Sequence, residues 1–138
     1  MYLLDTDVVT NPLKPQPSPA LLARLAGITA GQQHISTITL GEIVYGAHRS
    51  TRPSYHLERL DRLILSQVRV LTFDEDAARC YGRVRAELER RGEPIAHADL
   101  QIAAIALSRG LILITGNRRH FERVPSLAVE DWFADPRT

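Results

Sequence analysis

Short apolar runs alternate with helical stretches along the whole chain, and this alternation limits what it can fold into more than any other feature. Residues 2–4, 34–36, 68–71, 111–114 and 127–129 read as strands. Between them lie helix signals. Ser18-Pro19 is a cap followed by proline at the first helical position, with Leu21, Leu22, Leu25 and Ile28 on one face. Thr39-Leu40-Gly41-Glu42 has capping-box form and leads into Ile43, Val44 and Ala47. A further helix after Pro53 carries Leu57, Leu60, Ile64 and Leu65. Asp74 caps a long one running to about Arg91, stopped by Gly92 and Pro94, and residues 99–109 form another, ended by Gly110. Residues 11–19, with four prolines, read as a loop. Strands separated by helices pair in parallel, because a parallel pair needs a long crossover. The expected fold is therefore a three-layer α/β/α sandwich with a central, mostly parallel sheet, one domain over residues 1–138.

Composition adds little. The net charge is +1, and Lys14 is the only lysine among 17 basic residues. Arginine suits phosphate contacts through its planar fork. A single cysteine, Cys80, cannot form an internal disulfide, and the chain opens straight into a strand. No leader is expected, and a reducing cytoplasm fits best. No apolar run approaches the roughly 18 residues of a membrane span.

In parallel α/β sheets, ligands bind beyond the carboxyl ends of the strands. Asp5 follows the first strand and Asn117 the fourth, so both stand at that edge. An acid after a buried strand must be paired, bound to a cation, or satisfied by backbone N–H groups. Glu42 either completes the capping box or serves a site. Asp99 sits in a first helical turn, where the helix dipole favours an anion, and Asn117 suits a turn. Jointly these groups can converge at one edge. Carboxylates about 4 Å apart would repel by about 4 kcal/mol per pair at an effective dielectric near 20. A hard divalent cation removes that cost, and oxygen-only ligands select Mg²⁺ or Mn²⁺ over zinc. Such ions activate water and stabilise the leaving oxygen of a phosphodiester. No phosphate-binding glycine loop and no H-E-x-x-H motif is present, and the five histidines are scattered, as expected of surface or core-edge positions. Cys80 lies mid-helix and is a poor nucleophile candidate.

Four segments together resemble a known family. Leu3-Leu4-Asp5-Thr6-Asp7-Val8-Val9 is similar to the opening motif of PIN-domain nucleases. Residues 36–46, 94–104 and 115–121 resemble their second, third and fourth motifs, in order and over the whole length. The arrangement resembles the VapC-type toxins of bacterial toxin–antitoxin pairs. That resemblance implies a Mg²⁺-dependent endoribonuclease, often a homodimer, held inactive by a cognate antitoxin. It implies metal ligation by Asp5, Glu42 and Asp99, with Asn117 at the fourth position, where an amide can ligate but adds no charge. Asp7 and Thr115 are expected to support these ligands. Arg118, Arg119 and Arg123, just downstream, are expected to contact RNA.

Two other readings compete. Asp5-Thr6-Asp7-Val8-Val9 also resembles the opening of haloacid-dehalogenase-type phosphatases, with Asp5 as nucleophile and Asp7 as acid. The downstream lysine of those enzymes has no counterpart here, since Lys14 comes far too early. The other is a catalytically silent RNA- or protein-binding module of the same fold, which would gain nothing from three mutually repelling acids.

Overall fold

The computed structural model of the chain describes residues 1–134. The domain expected over residues 1–138 includes residues 135–138, which lie outside the described residues. Five strands, β1 (Tyr2–Leu4), β2 (Gln33–Ser36), β3 (Arg69–Leu71), β4 (Ile112–Ile114) and β5 (Val129–Glu130), form one sheet in the order β3-β2-β1-β4-β5. All four pairings are parallel. The helices are α1 (Thr6–Thr10), α2 (Pro19–Ala26), α3 (Thr37–Arg49), α4 (Pro53–Arg59), α5 (Glu75–Arg90), α6 (His97–Arg109) and α7 (Arg118–Phe121).

The layers follow from the two-residue period of the strands. In β1 and β4, Leu3 and Leu113 pack against α5 and α6 with Val84, Leu88, Ala103 and Ile105. The next residues, Leu4 and Ile114, pack on the opposite face with Val8, Val9, Leu21, Ile64 and Trp132. Both faces of the sheet are thus covered at β1 and β4, which is why these two read as unbroken apolar runs, whereas the edge strand β3 is largely exposed.

The expected caps are present at three helices. Ser18 accepts from the Leu21 N–H with Pro19 at the first position, and Asp74 accepts from the Ala77 N–H at the head of α5. Gly110 ends α6 in the left-handed conformation, φ 66°. Two expectations need correction. The helix expected to open at Thr39 begins at Thr37, because Ser36 takes the capping position and accepts from the Thr39 N–H. Thr39 and Glu42 therefore form no capping box, and Glu42 stands one turn inside α3. The unexpected element is α1. Its sequence, Thr-Asp-Val-Val-Thr, favours a strand by propensity, but Asp5 caps it and burial of Val8 and Val9 holds it as a helix.

The strand order places the site. From β1 the chain winds outward through β2 to β3, then returns to the other side of β1 with β4 and β5. The order reverses between β1 and β4, and a crevice opens beyond their carboxyl ends. Leu4 pairs with Ile114, so Asp5 and Thr115 are the next residues on adjacent strands.

Candidate active site

Asp5 is buried, 6% exposed, and both its carboxylate oxygens are engaged. Oδ1 accepts the Thr6 N–H at 2.8 Å, which makes Asp5 the cap of α1. Oδ2 accepts the Thr115 hydroxyl, also at 2.8 Å. Thr115 Oγ1 in turn accepts the Asn117 N–H at 3.0 Å. A continuous path of hydrogen bonds thus runs from the Asn117 backbone to the Asp5 carboxylate. Burial pushes the Asp5 pKa up to about 6, against the two hydrogen bonds, and the nearby charges of Asp7 and Asp99 push it the same way. Among the described residues, no arginine, lysine or histidine forms an ion pair with it.

Asp7 lies two residues on, in the first turn of α1. Its Oδ2 accepts the Gly116 N–H at 2.9 Å, while Oδ1 is buried with no hydrogen-bond partner. Desolvation raises its pKa. The Gly116 N–H thus occupies one oxygen of the carboxylate that the phosphatase reading would use as its acid.

Glu42 is solvent-facing on α3. Its Oε2 lies 2.7 Å from the Thr6 hydroxyl, which is also 3.2 Å from the Thr39 hydroxyl. Thr6 has one proton to donate, and the carboxylate is the stronger acceptor. Thr6 is a site residue that sequence reasoning missed. The only available signal was its place directly after Asp5, and that signal depends on recognising α1.

Asp99 stands in the first turn of α6, its side chain 28% exposed, with Oδ2 3.5 Å from His120 Nδ1. Sequence reasoning also missed His120, which it grouped with the scattered histidines. Asn117 precedes α7, and its side chain makes no capping bond. A polar cleft of about 450 Å³ opens beside it, lined by Gly116, Asn117, Arg118, Arg119, His120 and Asp131 among others. The three arginines differ. Arg118 pairs with Glu122 at 3.1 Å, Arg123 donates to the Pro94 carbonyl at 3.0 Å, and Arg119 has no ion-pair partner among the described residues.

Asp5 and Asp99 are near enough to feel each other's charge, and Thr6 joins the Asp5 cap to Glu42. Even so, among the described residues no three His, Cys, Asp or Glu side chains stand in an arrangement that holds an ion. The donor set itself suits a hard cation. It consists of carboxylate and amide oxygens, its central carboxylate is desolvated without a counter-charge, and a neighbouring carboxylate oxygen is buried unpaired.

A family model for the PIN domain matches residues 2–127. The chain is 40% identical over 131 residues to the tRNA(fMet)-specific endonuclease VapC of Shigella flexneri, covering 95% of this chain and 97% of that one. Among solved structures, FitAcB from Neisseria gonorrhoeae superposes with a TM-score of 0.90 at 32% identity, covering 98% of this chain and all of the other. The DNA-bound VapBC of Salmonella typhimurium gives 0.84 at 40% identity, covering 95% and 97%.

Proposed function

The chain belongs to the PIN-domain family as a VapC-type toxin, and from that premise we propose that it is an endoribonuclease that hydrolyses RNA phosphodiester bonds at the β1–β4 crevice. The observation that carries this reading is Asp5, a buried carboxylate that lacks a counter-cation where the strand order reverses. In this reading Asp5, Glu42 and Asp99 hold Mg²⁺, or Mn²⁺ in its place, with Asn117 beside them. When bound, the cation lowers the pKa of water and neutralises charge on the phosphodiester oxygens.

The chain's own residues do the rest. The Thr6 N–H and the Thr115 hydroxyl fix both oxygens of Asp5, so little reorganisation is needed there. Thr6 holds Glu42 toward the same edge. Arg119, and Arg118 once released from Glu122, draw phosphates along the cleft beside Asn117. Water attacks phosphorus and the P–O3′ bond breaks, leaving a 5′-phosphate and a 3′-hydroxyl.

The partner is an antitoxin protein, as the toxin–antitoxin complexes among the structural relatives suggest. A groove of about 350 Å³ with an apolar floor of Leu13, Ile43, Leu60 and Ile64 ends at Thr6 and Glu42, where such a protein could cover the site. We further propose that the chain acts in the cytoplasm as a homodimer, for which light scattering is the direct measurement. No helix among the described residues is long and apolar enough to cross a membrane.

The test is incubation with cellular RNA, starting from initiator tRNA, followed by end mapping. Cleavage should stop in EDTA and return with Mg²⁺ or Mn²⁺, giving 5′-phosphate ends. Products ending in 2′,3′-cyclic phosphate and formed in EDTA would overturn the mechanism.

A further inference from the structure

We propose that Asp7 is a positioning residue which, matched to Gly116, sets where Asn117 stands in the site. The proposal rests on the reading of Asn117 as a member of that site. Two three-residue segments interlock here rung by rung. Thr115 is bonded to Asp5 and Gly116 is bonded to Asp7, so Asn117 leaves the second rung directly into the polar cleft. The pair is matched in shape as well as in hydrogen bonding. A Cβ at position 116 would lie 2.5 Å from Asp7 Oδ2 and 3.2 Å from the Phe133 ring, closer than a side chain tolerates. Gly116 has no positive φ among the described glycines, so its small size serves close approach, not backbone conformation.

Asp7 makes this bond at a cost to itself, because its other oxygen is buried without a partner. The compensation is a charge-assisted bond to a loop amide, stronger than a neutral acceptor would give. Within the loop Asn117 is held only by its backbone, its N–H on Thr115 Oγ1 and its carbonyl on the His120 N–H, while its side chain makes no capping bond to α7. The loop as a whole is placed from outside, by Asp5 on Thr115 and by Asp7 on Gly116. Asp7 touches neither water nor phosphate in this role and acts through Asn117.

The experiment uses the full chain as Asp7→Ala, Asp7→Asn, Gly116→Ala and the Asp7→Ala/Gly116→Ala double variant. It reads RNA cleavage as kcat and KM separately, and amide hydrogen exchange at Gly116 in EDTA. Asp7→Ala should lower kcat about 10- to 100-fold, the usual cost of removing a group that orients a ligand, with KM moving less than about threefold. Asp7→Asn should recover most of that loss, since its amide oxygen can accept the same N–H. Gly116→Ala should cost about as much as Asp7→Ala, and the double variant little more than either, because each breaks the same contact. Exchange at Gly116 should quicken about tenfold in Asp7→Ala. Equal kcat loss in Asp7→Asn and Asp7→Ala, additive losses, or unchanged exchange would each overturn the proposal. Should Asp7→Ala not fold, Asp7→Asn against Gly116→Ala decides by the same kcat and exchange criteria. Asn117→Ala with full activity would instead overturn the site reading, and Gly116 exchange would then judge the latch alone.

Discussion

Two regions supply the acids of the proposed site, and the fold holds them very differently. At the strand ends, Asp5 and Thr115 are buried and mutually hydrogen-bonded, and Asp7 is fastened to Gly116. On the helices, Glu42 faces solvent with the Thr6 hydroxyl as its contact, and Asp99 is partly exposed opposite His120 at 3.5 Å. The strand-end region is rigid and electrostatically unfavourable without a cation. The helix region is adjustable and carries little such penalty, because water screens it. A rigid half and an adjustable half can together close on an ion that neither holds alone.

Substitutions that remove the same charge in the two regions test this division. The largest effect is expected at Asp5. Asp5→Asn should lower cleavage more than about 100-fold, beyond what loss of a supporting residue costs. Glu42→Gln should also cut cleavage strongly, yet leave metal-free stability within about 0.5 kcal/mol, as for other solvent-facing changes. A large stability change from Glu42→Gln would erase the contrast between the regions.

Thr115→Val comes next. It keeps the shape but removes the donor to Asp5 and the acceptor for the Asn117 N–H. Cleavage should fall about 10- to 100-fold and stability by about 1–3 kcal/mol, since buried polar groups lose their partners. A fully active Thr115→Val enzyme would show that the strand-end region is not preorganised. The smallest effect is expected in the cleft. Arg119→Ala should weaken RNA binding a few-fold and reduce the salt slope by about 1 between about 50 and 200 mM. Arg118→Ala should do less, because Arg118 is already paired with Glu122. An unchanged slope for Arg119→Ala would remove the arginines from the substrate path.

The sequence was a better guide to the strand-end region than to the helix region. Asp5 was legible because an acid directly after an apolar strand breaks the pattern, and Asn117 because it follows another such strand. The sheet was legible from runs covered on both faces, and the caps Ser18 and Asp74 from local signals. At Glu42 the sequence left a capping box and a place in the site both open, because Thr39-x-x-Glu42 imitates a box while Ser36 does the capping. The helix α1 was missed because burial of Val8 and Val9 overrides the strand propensity of its β-branched residues. Contacts such as Thr6 to Glu42, Thr115 to Asp5 and Gly116 to Asp7 join residues more than 30 positions apart. Periodicity carries no information about partners at that distance.

The most direct test of the central claim is the melting temperature of Asp5→Asn against the parent in EDTA, at pH 7.5 and near pH 4. Asp5 in the folded chain holds its proton up to about pH 6, whereas an unfolded carboxyl releases it near 3.8. Its contribution to stability is therefore full below about 3.8 and is lost as pH rises through about 6. That difference in pKa amounts to about 3 kcal/mol at pH 7.5. Asparagine avoids the loss and gives up about 1 kcal/mol of hydrogen bonding with Thr115. The variant should therefore melt a few degrees above the parent at pH 7.5, and the gap should close near pH 4. Added Mg²⁺ should raise the parent more than the variant, because it binds the native state. An Asp5→Asn protein that melts below the parent in EDTA at pH 7.5, and still cuts RNA, would contradict the account.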